Sequence, residues 1–207
     1  MDKIIVIDDG STDDTAKIAY ELGVTVLQHK KNMGVGAAMR TGINYAKKIR
    51  PDFLVTLDGD GQHDPSDIPR LIEPILSGEA DFVIGFRRLK KDNHMKSINR
   101  IGNRILNLIV SILIRKRIKD SQSGFRALNQ KSIMALNLEG DKTYVQEMII
   151  ELSLKGKTIK EVPIETNHRN HGKSKVTSNI IDYSLKTLLI IFKTYIKNYK
   201  NYMAQSK

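Results

Sequence analysis

Four short apolar, largely β-branched runs divide the first half of this chain, and helix-length segments separate them. The runs are Ile4–Ile7, Val24–Leu27, Phe53–Leu57 and Phe82–Ile84. None alternates with polar residues, which is the pattern of strands covered by helices on both faces. The segments between carry helix punctuation. Ser11, with Asp14 three residues on, approximates a capping box, and Gly23 stops the helix that follows at about Leu22. Met33-Gly34-Val35-Gly36 turns into a helix over 37–48, and Pro65 opens another that runs to Leu76. Strand–helix–strand alternation with short connections predicts an α/β fold, a mostly parallel sheet flanked by helices. Ligands of such sheets bind beyond the carboxyl ends of the strands. Asp8-Asp9 and Asp58–Gln62 both stand at such ends, which sets two acidic loops along one rim.

The second half reads as a long helix over 95–117, a strand over 124–128, a helix over 145–154, an alternating strand over 158–164 and a last helix over 178–199. Glu147 and Glu151 lie one turn apart on the third of these and are expected on a solvated face, with an acid facing an acceptor pocket as the alternative. Residues 1–176 are taken as a catalytic domain. Residues 177–207 are taken as an amphipathic C-terminal helix for a membrane or a partner, or for packing on its own domain. A chain of 207 residues, 40% of them hydrophobic, can bury one core.

Charge narrows the chemistry. The formal net charge is +11, yet Asp crowds 8–14 and 58–67, while Lys and Arg gather over 87–119 and beyond 155. Acidic clusters inside a basic protein point to metal and phosphate chemistry more than to simple nucleic-acid binding. Cysteine is absent, which excludes disulfides, thiolate zinc sites and a cysteine nucleophile. No secretory signal is visible at the start, and no run of about 18 apolar residues predicts a spanning helix.

Leu57-Asp58-Gly59-Asp60-Gly61-Gln62-His63-Asp64-Pro65 carries the strongest signal. Two carboxylates spaced i, i+2 at a strand end can reach one hard cation, and Mg²⁺ or Mn²⁺ takes one or two carboxylates plus substrate phosphates. Gln62 offers a third oxygen and His63 competes with it; a solvated acidic turn is the plain alternative. Asp8-Asp9-Gly10-Ser11-Thr12-Asp13 can hydrogen-bond a ribose or a base N–H, or simply cap a helix. His168 and His171 flank Arg169 in a basic loop with no third ligand for zinc, which favours a phosphate-facing role. Residues 103–119 join an apolar stripe to a basic end, the pattern of an interfacial helix on anionic lipid or of a core helix with a favourable dipole.

Taken together, these segments resemble the family-2 glycosyltransferases, in the dolichyl-phosphate mannosyltransferase-like branch. The likeness continues through Asn32-Met33-Gly34-Val35-Gly36-Ala37, Gly85-Phe86-Arg87, Asp120-Ser121-Gln122-Ser123-Gly124-Phe125-Arg126 and Arg169-Asn170-His171-Gly172-Lys173-Ser174-Lys175. It implies a nucleotide-diphosphosugar transferase (GT-A) fold. Relatives begin one strand earlier, with a Pro–aromatic–Asn-Glu loop around the base. The resemblance therefore implies an N-terminally shortened version with an exposed strand edge. It assigns Ile7 and Asp9 to the base, Asp58 and Gly59 to ribose and diphosphate, and Asp58, Asp60 and Gln62 to the divalent metal. Arg87, Arg169 and Lys175 would bind donor or acceptor phosphates. Ser123 and Arg126 would lie near the acceptor phosphate. Asp58, Asp60, Arg87 and Arg126 are the expected catalytic set.

The implied reaction is metal-dependent, inverting transfer of a hexosyl group, mannose or glucose, from a GDP-mannose or UDP-glucose type donor to a polyprenyl (dolichyl) phosphate. It would run at the cytoplasmic face of a membrane, with the protein held peripherally, with no nucleic acid, and with homo-oligomers compatible. The alternatives are a glycan, protein or small-molecule acceptor, a nucleotidyltransferase, a basic nucleic-acid-binding module, or a truncated, inactive homologue that binds a partner.

Overall fold

The computed structural model describes residues 3–87, 97–141, 143–166 and 180–205. The elements in order are β1 (Ile5–Asp8), α1 (Thr15–Glu21), β2 (Thr25–Gln28), α2 (Val35–Ile49), β3 (Phe53–Thr56), α3 (Ile68–Leu76) and β4 (Phe82–Arg87). They continue with α4 (Ser97–Leu113), β5 (Arg126–Asn129), α5 (Gln130–Ala135), α6 (Val145–Leu154), β6 (Ile159–Ile164) and α7 (Ile180–Gln205). The strand–helix alternation is as the pattern predicts, with boundaries moved by one to three residues for most elements. Ser11 does not cap α1, which begins at Thr15 behind Asp14 with no side-chain cap. The backbone N–H of Ser11 instead donates to Asp8 at 3.1 Å. The helix opened by Pro65 starts as one 3₁₀ turn, Pro65–Asp67, capped by Asp64 through the Ser66 N–H.

The four-stranded sheet has the order β3-β5-β4-β6. β4 and β6 are parallel, but β5 runs antiparallel to both β3 and β4. Three strands thus point one way, and the reversed β5 is wedged among them. Strand direction follows from pairing rather than from local pattern, so the alternation could not announce it. β1 and β2 form a separate parallel pair. Among the described residues β1 pairs only with β2. Beside it lies an apolar groove lined by Ile4, Val6, Ile18, Leu22, Val24 and Gly59.

β4 is buried on both faces, with Phe82, Val83 and Ile84 each at 0% exposure. Phe82 and Ile84 enter a large core with α2, α4, α5, α6 and α7, while Val83 turns to a smaller core with Leu71 of α3, Phe125, Ala127 and Ile164. Burying such side chains is worth about 1.5–3 kcal/mol each. Pro163 sits inside β6, which is tolerable because β6 is an edge strand. Ile191 carries α7 into the large core. No described helix is long and apolar enough to cross a membrane.

Glu147 and Glu151 correct the expectation of a solvated face: they are 3% and 2% exposed. Glu147 accepts the N–H groups of Glu139 and Gly140, and Glu151 accepts that of Asn137 and pairs with Lys155. They satisfy the backbone of the 137–141 loop, where orphan donors would cost about 1–3 kcal/mol each. Burial pushes the Glu147 carboxyl above its usual range.

Candidate active site

The reversal of β5 assembles the site. Register sets Arg126, the first residue of β5, beside Thr56 at the end of β3 and beside Ile84 of β4. The loop ahead of β5 therefore arrives at the rim where β3 and β4 end, and Thr56 ties it there by donating to the Gly124 carbonyl at 2.9 Å. A cleft forms between the two loops, lined by Asp58, Gln62, His63, Arg87, Gln122, Ser123, Gly124 and Thr166.

On the acidic side, Asp58 is exposed and Asp60 half-buried. The N–H of Gln62 donates to the Asp60 carboxylate at 3.0 Å, which tightens the turn between them. Gly61, at φ 75°, supplies the left-handed residue that turn needs. Gly124 lies directly under Asp58: a methyl there would stand 3.0 Å from both carboxylate oxygens. His63 is 8% exposed, and its ring lies against Phe125 at 5.1 Å. Burial pushes its imidazole below the usual range, against the opposing pull of both Asp58 and Asp60. The two carboxylates thus both act on one imidazole. Nδ1 of His63 faces the Asp58 N–H at 3.4 Å, and its backbone bridges Thr166. That arrangement makes His63 a support of the acidic loop. No three His, Cys, Asp or Glu side chains form a metal cage among the described residues. Of the three expected oxygen ligands, Asp58 and Gln62 line the cleft, while Asp60 is not among its lining residues and holds the Gln62 N–H. An incomplete hard-oxygen set of this kind can take a cation that substrate phosphates finish coordinating.

On the basic side, Arg87 reaches the cleft with its guanidinium held by Asp120, Nε to Oδ2 at 2.7 Å and Nη2 to Oδ1 at 3.0 Å. Asp120 is fully buried and also accepts the N–H groups of Arg87 and Gln122. Burial drives its carboxyl up, and Arg87 more than offsets this, so the pKa ends lowered. Sequence reasoning gave Asp120 no role, although an acid inside a basic stretch is a signal for a paired one. Asn107 of α4 holds the next residue, accepting from the Ser121 N–H at 2.8 Å and hydroxyl at 2.7 Å. The polar residue within that helix's apolar run is therefore a strut for the site loop.

Arg126 departs from the expected catalytic role. It is 0% exposed and donates to the carbonyls of Ser123, Val145 and Ser121. Its guanidinium lies over Phe82 and Tyr144, with burial lowering its pKa to about 10. It stays charged at neutral pH, but it braces the loop from behind and is not among the residues that line the cleft. Asp9 is occupied as well. It accepts from the Met33 and Gly34 N–H groups and meets His29 Nδ1 at 2.8 Å. Burial raises its carboxyl and these bonds bring it below the usual range. It ties β1 to the turn before α2. Ile7 turns its side chain onto α2 at Gly42, and Gly59 is exposed at the rim. Arg169 and Lys175, with His168 and His171, lie outside the described residues.

Comparison with known proteins agrees with this geometry. Residues 2–136 match the family model described as glycosyl transferase family 2. An uncharacterised protein of Methanocaldococcus jannaschii is 36% identical over 197 residues, covering 93% of this chain and 81% of that one. A UDP-N-acetylglucosamine–dolichyl-phosphate N-acetylglucosaminyltransferase of Methanococcus voltae is 32% identical, covering 93% of this chain and 85% of its own. An undecaprenyl-phosphate mannosyltransferase of Micrococcus luteus is 30% identical over 86% of this chain and 77% of its own. Among solved structures, glucosyl-3-phosphoglycerate synthase of Mycobacterium tuberculosis, bound to Mn²⁺, UDP-glucose and phosphoglyceric acid, aligns with a TM-score of 0.73. It covers 94% of this chain and 69% of that one at 21% identity, and so shares the GT-A fold. With that fold, an acidic loop facing an oriented arginine, and relatives of this kind, the chain belongs to glycosyl transferase family 2 and is a glycosyltransferase.

Proposed function

We propose that this glycosyltransferase moves a sugar from a nucleoside diphosphate donor to a polyprenyl phosphate. The observation that carries the reading is the cleft itself, with the acidic loop at Asp58 facing the Asp120-oriented guanidinium of Arg87. Two curated relatives whose names specify lipid phosphates as acceptors support the acceptor class. Those names specify N-acetylglucosamine and mannose, so the sugar is read more broadly than mannose or glucose.

The chemistry follows from the charges. An oxygen of the acceptor phosphate bonds to the anomeric carbon as the bond from that carbon to the donor's β-phosphate oxygen breaks. The electron pair leaves with the nucleoside diphosphate. Negative charge grows on that leaving group, and a prepositioned cation stabilises it without reorganisation. Arg87 is such a cation. Asp58, Asp60 and Gln62 would hold Mg²⁺ or Mn²⁺, which supplies a Lewis acid for the same charge. A phosphate acceptor is already anionic, so no strong general base is required. Single displacement inverts the anomeric centre, and a product of retained configuration refutes it.

The test offers a panel of nucleotide sugars with a polyprenyl phosphate in detergent, comparing wild type with Asp60→Ala. We expect transfer from one donor and a loss in kcat/KM on the order of 100-fold in the variant. Donor binding that is equal in both proteins, with and without Mn²⁺, refutes the metal assignment. Transfer only to a water-soluble acceptor refutes the lipid.

A further inference from the structure

Two helices of this protein are apolar on the outside. On α4, Ile101, Ile105, Leu108 and Ile112 are 56%, 53%, 60% and 65% exposed. At 3.6 residues per turn they fall within an arc of about 60°. On α7, Leu189, Phe192, Ile196 and Tyr199 are 70%, 48%, 53% and 41% exposed and fall within about 80°. Isolated exposed apolar residues need no explanation, but two continuous stripes on neighbouring helices do.

The inward face of α7 sharpens the point. Thr187, Thr194 and Asn198 are 1%, 7% and 6% exposed, with Ile191 as the apolar member of the row. Asn198 bonds the Thr194 carbonyl, and Thr187 Oγ1 finds no partner among the described residues. A water-facing helix of a globular protein puts such residues outside and Leu, Phe and Ile inside. Here three of the four residues in the buried row are polar, and although Leu188 and Tyr195 also pack on the core, Leu189, Phe192 and Ile196 are left outside, which fits an outer medium less polar than water.

We propose that the α4 and α7 stripes rest on the interface of an anionic lipid bilayer. Charge decides between this occupant and a second copy of the chain. No Asp or Glu occurs from Ser97 to Lys119, a stretch that includes Arg100, Arg104, Arg115, Lys116, Arg117 and Lys119. None follows Asp182, where Lys186, Lys193, Lys197, Lys200 and Lys207 lie. On α7 Lys193, Lys197 and Lys200 fall along one flank of the stripe, the first two near Glu139. Two copies meeting through these faces would set like charges together, whereas anionic headgroups complement them. The apolar stripe then enters the acyl boundary and the cations stay at headgroup level. Nothing in this surface requires the donor site. The inference rests on the lipid-phosphate reading only for its purpose, bringing the cleft to an acceptor embedded in lipid.

Sedimentation of the full chain with vesicles of phosphatidylcholine alone, or of phosphatidylcholine with phosphatidylglycerol, tests it. Wild type is expected to bind the anionic vesicles and to release them in high salt. Ile105→Asp/Leu108→Asp on α4 and Leu189→Asp/Phe192→Asp on α7 should each weaken that partition by about tenfold or more. These positions are exposed, so circular dichroism and nucleotide binding should stay as in wild type. Asp60→Ala should lose transfer yet bind vesicles normally, which separates failure of the surface from failure of the catalytic reading. The proposal is overturned if wild type ignores anionic vesicles, if it binds both vesicle types equally, if the stripe variants partition like wild type, or if the stripes govern self-association with no lipid binding.

Discussion

Replacing Gly124 by alanine tests the floor of the cleft with one methyl group. That methyl would stand 2.9 Å from the Tyr144 hydroxyl and 3.0 Å from both Asp58 carboxylate oxygens, where ordinary contact begins at 3.4 Å. Tyr144 is 2% exposed and stacked beside Arg126, so it cannot retreat. Asp58 is exposed and yields, by roughly 0.4 Å. Metal–oxygen distances tolerate about 0.2 Å, and misplacement by about 1 Å costs about 100-fold in rate. The expected loss in kcat/KM is therefore about tenfold, with a stability cost of about 1–3 kcal/mol from overpacking. Steady-state transfer at saturating Mn²⁺ and a thermal melt measure the two effects. Adding Tyr144→Phe removes the 2.9 Å clash and should recover part of the stability but not the activity. Wild-type kcat/KM in a folded Gly124→Ala protein would refute the claim that the position of Asp58 matters.

Asp120→Asn leaves Arg87 without its carboxylate and should destabilise by about 3–5 kcal/mol at neutral pH, read by chemical denaturation. The folded pKa of Asp120 lies below its unfolded value. Its stabilisation is therefore present above the unfolded pKa and lost as pH falls through the folded one, and wild type and variant should converge in strong acid. Gly36→Ala drives a methyl to 2.1 Å from the Gly140 carbonyl oxygen and should prise α2 from the 139–141 turn. A fall in melting temperature larger than that of Gly124→Ala is the expected result.

What the sequence disclosed and what it withheld divide along physical lines. Periodicity is local, so α6 is seen over Val145–Leu154 as read, and most other elements are displaced by one to three residues. α5 escaped because six residues after a strand carry less than two turns of pattern. The acidic loop was legible because i, i+2 carboxylates after a strand have few structural uses. Arg126 was misjudged because its motif neighbours line the cleft while its own alternation turns it inward. Glu147 and Glu151 were misjudged because buried carboxylates are rare and their partners are backbone amides seven to fourteen residues away. Asp120 needed its partner in view: nothing local indicates that position 87 will pack against position 120.

The buried guanidinium of Arg126 has a consequence for ionic strength. Mobile ions screen charges that they can approach, over about 8 Å at physiological salt. A charge with no exposed surface lies beyond their reach, and this one acts on Asp58 from beneath the loop. Part of the positive potential beneath the cleft is therefore screened much less by electrolyte than that of the surface. Salt should strip away the attraction of surface lysines and arginines for an anionic ligand first, and the contribution of the buried guanidinium should fall off far more slowly.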